Sequence, residues 1–240
     1  MHGQTLGKIG LVSTSHSGYR AWCRALREKK ESGRRRDPFA QDYNAELLRW
    51  EAVVQRLLAT VVPDTVDERI LVAPDIDRKG KAISIYRELD YVSGHVSSPD
   101  MFVEIKIREQ SIKGKSGWGQ LDRSLQIART QWPMVRGICI NVALGDILET
   151  EPECNNPTVT LSELPGVIAK RSQQDGATVW IRGSDVASFA MEQNLLTLMD
   201  IQRLPQLRQA MQNPVHFLKT RDLQPETIRP GLFERFRPSH

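Results

Sequence analysis

Between Tyr86 and Arg108 the chain reads YRELDYVSGHVSSPDMFVEIKIR, and this stretch restricts the fold more than any other. Apolar residues recur at every second position on both sides of a short turn-forming segment, which is the period of a strand and not of a helix. Ile83, Ile85, Leu89 and Tyr91 share one face of the first run, and Met101, Val103, Ile105 and Ile107 share one face of the second. Asp90, Glu104 and Lys106 have the opposite parity. SGHVSSP is rich in turn formers, so the spacing predicts an antiparallel hairpin folded about its middle. Ser97 lies midway between positions 90 and 104, which sets Asp90 opposite Glu104 at a Cβ separation of about 5 Å. Two carboxylates that close repel unless a cation lies between them, and Mg2+ takes oxygen ligands at about 2.1 Å with water completing its octahedron. Lys106 is two residues beyond Glu104 on the same face, about 7 Å along the strand. A cation there can orient a water or offset charge on a phosphorane, but it cannot replace a metal.

Two helical patterns flank the hairpin. From about Asp42 to Val61, Leu47, Leu48, Trp50, Val53, Val54, Leu57, Leu58 and Val61 form a broad apolar face at helical spacing, and Pro63 stops the helix. After the second strand, GWGQLDRSLQIARTQW repeats Leu121, Leu125 and Ala128 with a helical period, enters through Gly119 and carries Gln120 in its first turn. Met134 to Leu144 then reads as a buried strand, as expected where a helix crosses over to a parallel partner.

The pattern of Asp90, a gap, and Glu104-Ile105-Lys106, between a leading helix and a Gln-bearing helix, resembles the PD-(D/E)xK nuclease superfamily, whose fold is that of restriction endonucleases and Holliday-junction resolvases. The resemblance covers roughly residues 40 to 145. It implies an α/β protein with a restriction-endonuclease-like core, a mixed β-sheet flanked by helices. It also implies a metal-dependent endonuclease that hydrolyses nucleic-acid phosphodiester bonds, DNA favoured over RNA, with Mg2+ or Mn2+ as cofactor. On this resemblance Asp90 and Glu104 ligate the metal, the main-chain carbonyl of Ile105 joins them, and Lys106 positions or activates the water. Family members often add an acid from the leading helix, which points to Glu46, with Glu51 next. Several branches turn a Gln or Lys of the following helix toward the site, which points to Gln120, with Gln126 next. Leu89 stands where the family carries Pro.

Two look-alikes are set aside. Pro99-Asp100 is a literal PD, yet Asp100 and Glu104 are four residues apart on one run, about 13 Å, and cannot share an ion. Asp100 is therefore expected at a turn or strand start. Gly114-Lys115-Ser116 looks like the end of a phosphate-binding loop, but Glu109 stands where that loop needs its first Gly. The competing reading keeps the fold without the chemistry: a catalytically silent nucleic-acid-binding or scaffold subunit of a defence or transposition assembly. Facing carboxylates argue against it.

At 240 residues and 40% hydrophobic content the chain can bury one good core and a modest appendage. The sequence predicts a basic N-terminal arm over 1–39, the nuclease-like core over 40–185 and a C-terminal helical extension over 186–240. With no apolar run of about 18 residues, no hydrophobic segment behind a charged N-terminus and no lipidation signal, a cytoplasmic protein without a membrane partner is expected. Cys23, Cys139 and Cys154 are odd in number and widely spaced, as reduced thiols would be, and the five histidines have no metal-binding spacing. Net charge is only +4. Its distribution says more, because from Arg20 to Arg36 eight Lys and Arg stand against Glu28 and Glu31. Tyr19, Trp22, Cys23 and Leu26 repeat at helical spacing there. A basic amphipathic helix is expected, its apolar stripe docked on the core and its charged side facing either a phosphate backbone or solvent. Further on, Thr160 to Gln173 reads as a helix, GATVWIRG as a strand, and SDVASFAMEQNLL as a helix capped by Ser184 or Asp185. From Met199 onward Pro205, Pro214, Pro225 and Pro230 predict short helices and turns. Assembly as a homodimer or within a larger protein complex is left open.

Overall fold

The computed structural model describes residues 8–31, 38–77, 79–109, 117–148 and 156–212. In chain order the elements are β1 (Gly10–Val12), α1 (Ser17–Glu31), α2 (Pro38–Val61), β2 (Ile70–Ile76), β3 (Ala82–Glu88), β4 (Tyr91–His95), β5 (Ser98–Arg108), α3 (Trp118–Ala128), β6 (Arg136–Ala143), α4 (Leu164–Arg171), β7 (Thr178–Arg182), α5 (Gly183–Glu192) and α6 (Leu198–Gln212). The protein is α/β, with two sheets. β1, β2 and β3 make an antiparallel three-stranded sheet, and β4-β5-β6-β7 make a mixed one in which β4 is antiparallel to β5 while β6 and β7 run parallel to it. The β5-α3-β6 crossover matches the sequence expectation.

β5 is the strand around which the core forms. Met101, Val103 and Ile105 point into a cluster with Trp50, Val54 and Leu58 of α2 and with residues of α4, α5 and α6. Phe102 points the other way, into a second cluster with Leu121, Leu125 and Ala128 of α3 and Leu11 and Leu71 of the three-stranded sheet. With both faces covered, a polar side chain in mid-strand must be buried too. The larger cluster runs from Tyr43 to Leu207, so residues on both sides of the 185/186 boundary share it. β1, within the stretch read as an arm, is a strand of the smaller sheet.

Three local expectations are corrected. The alternating run before the loop is not one strand: β3 pairs with β2, the chain bends at Leu89-Asp90, and β4 then joins β5. Leu89 consequently enters the second cluster and Tyr91 the first, instead of sharing a face. Neither Ser184 nor Asp185 caps α5. Its N-cap is Arg182, and the carboxylate of Asp146 accepts the Ser184 N–H at 3.0 Å from 38 positions upstream. Finally, α6 continues through Pro205 for 15 residues. An interior proline costs a helix about 3 kcal/mol. Burial of Ile201, Leu204, Leu207 and Ala210 offsets this, at about 1.5–3 kcal/mol for each large side chain. A reciprocal cap helps: the Asp200 N–H donates to Thr197 Oγ1 at 3.2 Å and the Thr197 N–H to Asp200 Oδ2 at 2.8 Å.

Among the described residues no helix is long and apolar enough to cross a membrane. Cys154, the Arg34–Arg36 run, the Gly114-Lys115-Ser116 segment and the three later prolines lie outside the described residues.

Candidate active site

Register brings the two acids together. Tyr91 pairs with Val103, Val92 with Phe102 and Ser93 with Met101, and one step back along this ladder places Asp90 beside Glu104. Instead of continuing the ladder, Asp90 bends inward and its Oδ2 accepts the Ile105 N–H at 2.6 Å. The far end of the hairpin is tighter than a seven-residue loop. His95 pairs with Ser98 across the two-residue turn Val96-Ser97, after a register shift at Ser93/Gly94. Gly94 has φ +104, and a Cβ there would come within 2.6 Å of the Asp100 main-chain N. Asp100 is exposed near the start of β5, the strand-start position that is one of its two expected places.

Glu104 is 1% exposed. The Lys106 ammonium forms an ion pair with its Oε1, and apart from that contact Oε1 has no hydrogen-bond partner. Burial, and then the charge of Asp90, push the Glu104 carboxyl up to about 7 even against the pull of Lys106. Burial also raises Asp90, with the Ile105 N–H and Lys106 opposing. For Lys106 burial acts downward, but contact with Glu104 and the charge of Asp90 outweigh it and leave the ammonium more firmly protonated than usual. One half-buried ammonium thus faces two carboxylates.

A third acid belongs to this field, and it is Glu51. Half-buried on α2, its carboxyl is pushed up to about 7 by burial and then by the charge of Asp90, while Lys106 and Arg69 act in the other direction. Glu46, the first choice from sequence, lies elsewhere. It is buried at the α2–α6 contact, where both its oxygens take hydrogen bonds from Arg49 at 3.0 and 3.1 Å, Arg203 stands 3.6 Å away, and Arg49 also reaches Asp200 at 3.0 Å. Five residues on a helix are a rotation of about 140°, so the two glutamates border the apolar stripe on opposite sides. Both flank buried residues at similar spacing, and only the packing of α6 tells them apart.

Gln120 sits in the first turn of α3 but is exposed. Its main-chain N–H donates to the Gly117 carbonyl at 3.0 Å, and among the described residues its side chain bonds to none of the site groups. Gln126 is turned along the helix to Asp122 at 2.8 Å. What α3 does bring to the site is Gly117, whose φ is +83 and whose added Cβ would lie 2.8 Å from Lys106 Cγ and 3.2 Å from Cys139 Sγ. A side chain at 117 would displace the lysine.

Sequence reading passed over several residues here. Cys139 and Asn141 of β6 pair in register with Glu104 and Lys106. The Asn141 amide donates to Cys139 Sγ at 3.6 Å and accepts Arg108 Nε at 3.4 Å. Burial and the Glu104 charge push the Cys139 thiol up to about 12, so it stays neutral. The parity of CINVA could have revealed both residues. Arg69 donates to the Asp90 carbonyl at 3.3 Å and approaches Glu88 at 3.8 Å; nothing local in the sequence marks it.

Among the described residues no three His, Cys, Asp or Glu side chains converge as a metal-holding group. The donor set is the pair Asp90 and Glu104, with Glu51 coupled to Asp90 through its charge. Compared with protein-family models, with curated proteins and with solved structures, the chain matches none.

Proposed function

We propose that this chain is a metal-dependent nuclease of the PD-(D/E)xK kind, with a restriction-endonuclease-like core, that hydrolyses phosphodiester bonds in DNA. One observation carries the reading: two carboxylates from different elements, half-buried Asp90 at a bend and fully buried Glu104 in mid-strand, are brought together with a lysine beside them. Two carboxylates this close, one of them fully buried, are costly unless more positive charge serves them than the single Lys106 ammonium supplies.

The donor set suits Mg2+ or Mn2+. These ions are held by one or two carboxylates and keep most of their waters for the substrate to share. Asp90, Glu104 and the Ile105 carbonyl would hold the ion, which when bound supplies a Lewis acid for a phosphoryl oxygen and an acidified water. Lys106 contributes N–H donors that orient a nucleophilic water and offset negative charge as it grows on the phosphorus oxygens. The Ile105 N–H fixes one Asp90 oxygen and leaves the other for a ligand. Glu51 replaces Glu46 as the further acid from the leading helix.

The ion pair between Lys106 and Glu104 favours a second reading, because a carboxylate neutralised from within needs no metal. That is the silent scaffold. Incubation of the protein with labelled duplex, single-stranded and branched DNA and with RNA in Mn2+ decides between them. The nuclease reading requires metal-dependent cleavage that falls about 100-fold or more in Asp90→Asn and in Glu104→Gln. No cleavage of any substrate, together with an unchanged melting temperature in Mn2+, supports the scaffold.

A further inference from the structure

The exposed side of α1 carries Arg20, Arg24 and Arg27, all of them open to solvent, and its sole described acid on that side is Glu28 near the C-terminal end. The other side is docked. Tyr19 stacks on Trp22 with ring centroids 6.0 Å apart, and both pack on Tyr86 of β3 at 6.0 Å. The Tyr19 hydroxyl donates to Glu88 at 2.9 Å, Glu88 faces Arg69 at 3.8 Å, and Arg69 donates to the Asp90 carbonyl at 3.3 Å. A polar chain therefore ties α1 to the backbone of the first site acid. From Arg20 to Arg27 the helix rises about 10 Å, over which one strand of a duplex presents about three phosphates. Single-stranded nucleic acid is gripped by exposed aromatic platforms as well as charge, and the aromatic residues of α1 are turned inward.

We infer that the Arg20-Arg24-Arg27 face of α1 binds the phosphate backbone of double-stranded DNA and holds the duplex in a fixed position relative to Asp90 and Glu104. The inference rests on the nuclease reading for what happens next, but binding itself is measured without it. The arginines act by positioning and touch no reacting atom.

The test uses the full chain in EDTA, with fluorescence anisotropy on a short fluorescein-labelled duplex over about 50 to about 200 mM salt. Combined Arg20→Gln, Arg24→Gln and Arg27→Gln should weaken binding at least tenfold and flatten the slope of log affinity against log salt by about 2.7, at about 0.9 for each lost phosphate contact. A control with the same charge change elsewhere, Arg56→Gln, Lys170→Gln and Arg171→Gln, should keep the parent slope. Equal effects of the two triples, tighter binding of the matching single strand, or no duplex binding by the parent would each overturn the inference. Cleavage in Mn2+ is read separately. A parent that binds duplex through α1 but never cuts sinks the nuclease reading alone, and one that cuts while the α1 triple keeps its salt slope sinks this inference alone.

Discussion

Glu104→Gln should make the metal-free protein more stable at about pH 8, even though it removes an ion-pair partner. Glu104 is 1% exposed, and burial together with Asp90 lifts its carboxyl from 4.5 to about 7. Between those values the folded state keeps a proton that the unfolded chain has released, so stability is fully present below pH 4.5 and is lost as pH rises through about 7. At about 1.36 kcal/mol per tenfold change in proton affinity, ionised Glu104 costs the folded state about 3 kcal/mol above that point. Gln copies the protonated form and escapes this cost, whereas Ala would open a cavity in the strand layer. For a chain of this size about 3 kcal/mol corresponds to roughly 6–12 °C in melting temperature, an upper bound because Lys106 loses its partner. Thermal melts in EDTA should show parent and variant close together at about pH 5 and the variant higher at about pH 8. Added Mn2+ should raise the parent and leave the variant unmoved. A variant that melts below the parent in EDTA at about pH 8 would refute the reasoning, since ionised Glu104 would then be a stabilising half of a structural ion pair.

The other expectations concern neighbouring groups. Lys106→Met should abolish cleavage yet keep the Mn2+-induced melting shift; a variant that cuts at the parent rate removes Lys106 from the mechanism. Glu51→Gln should lower the cleavage rate about tenfold or more, while Glu46→Gln should leave it nearly unchanged and lower stability by about 1–3 kcal/mol in urea melts, because it removes the charge that pairs with Arg49 and Arg203. The reverse pattern would restore Glu46 to the site. Gly117→Ala places a Cβ 2.8 Å from Lys106 Cγ at φ +83, and should cost about 1–2 kcal/mol and slow cleavage further than that loss of folded protein explains. Because Glu51 and Glu104 both hold protons up to about 7 and metal ligands must be deprotonated, Mn2+ affinity should strengthen from about pH 6 to about pH 8; calorimetric titrations showing no pH dependence would count against the pair as ligands.

Strand chemistry is local, and much of the site's scaffold was therefore readable in the chain. The period of two assigned Glu104 and Lys106 to one face of β5, the turn formers placed the fold-back, and the midpoint at Ser97 gave the register that sets Asp90 beside Glu104. The apolar stripe of α2 and the helix between two parallel strands were equally plain. What the sequence could not decide were choices made by distant neighbours. Whether the run from Ile83 to Tyr91 stays in one sheet depends on β2, which takes β3 away and forces the bend at Asp90. Which border of α2 faces the acids depends on α6, whose Arg203 and Asp200 occupy the Glu46 side and leave Glu51 to the site. α5 takes its cap from Asp146, and α6 passes through Pro205 because its buried face outweighs one lost hydrogen bond. Periodicity reports what one segment presents to a surface, and only tertiary packing determines which surface that is, because the burial energy that decides it belongs to both partners.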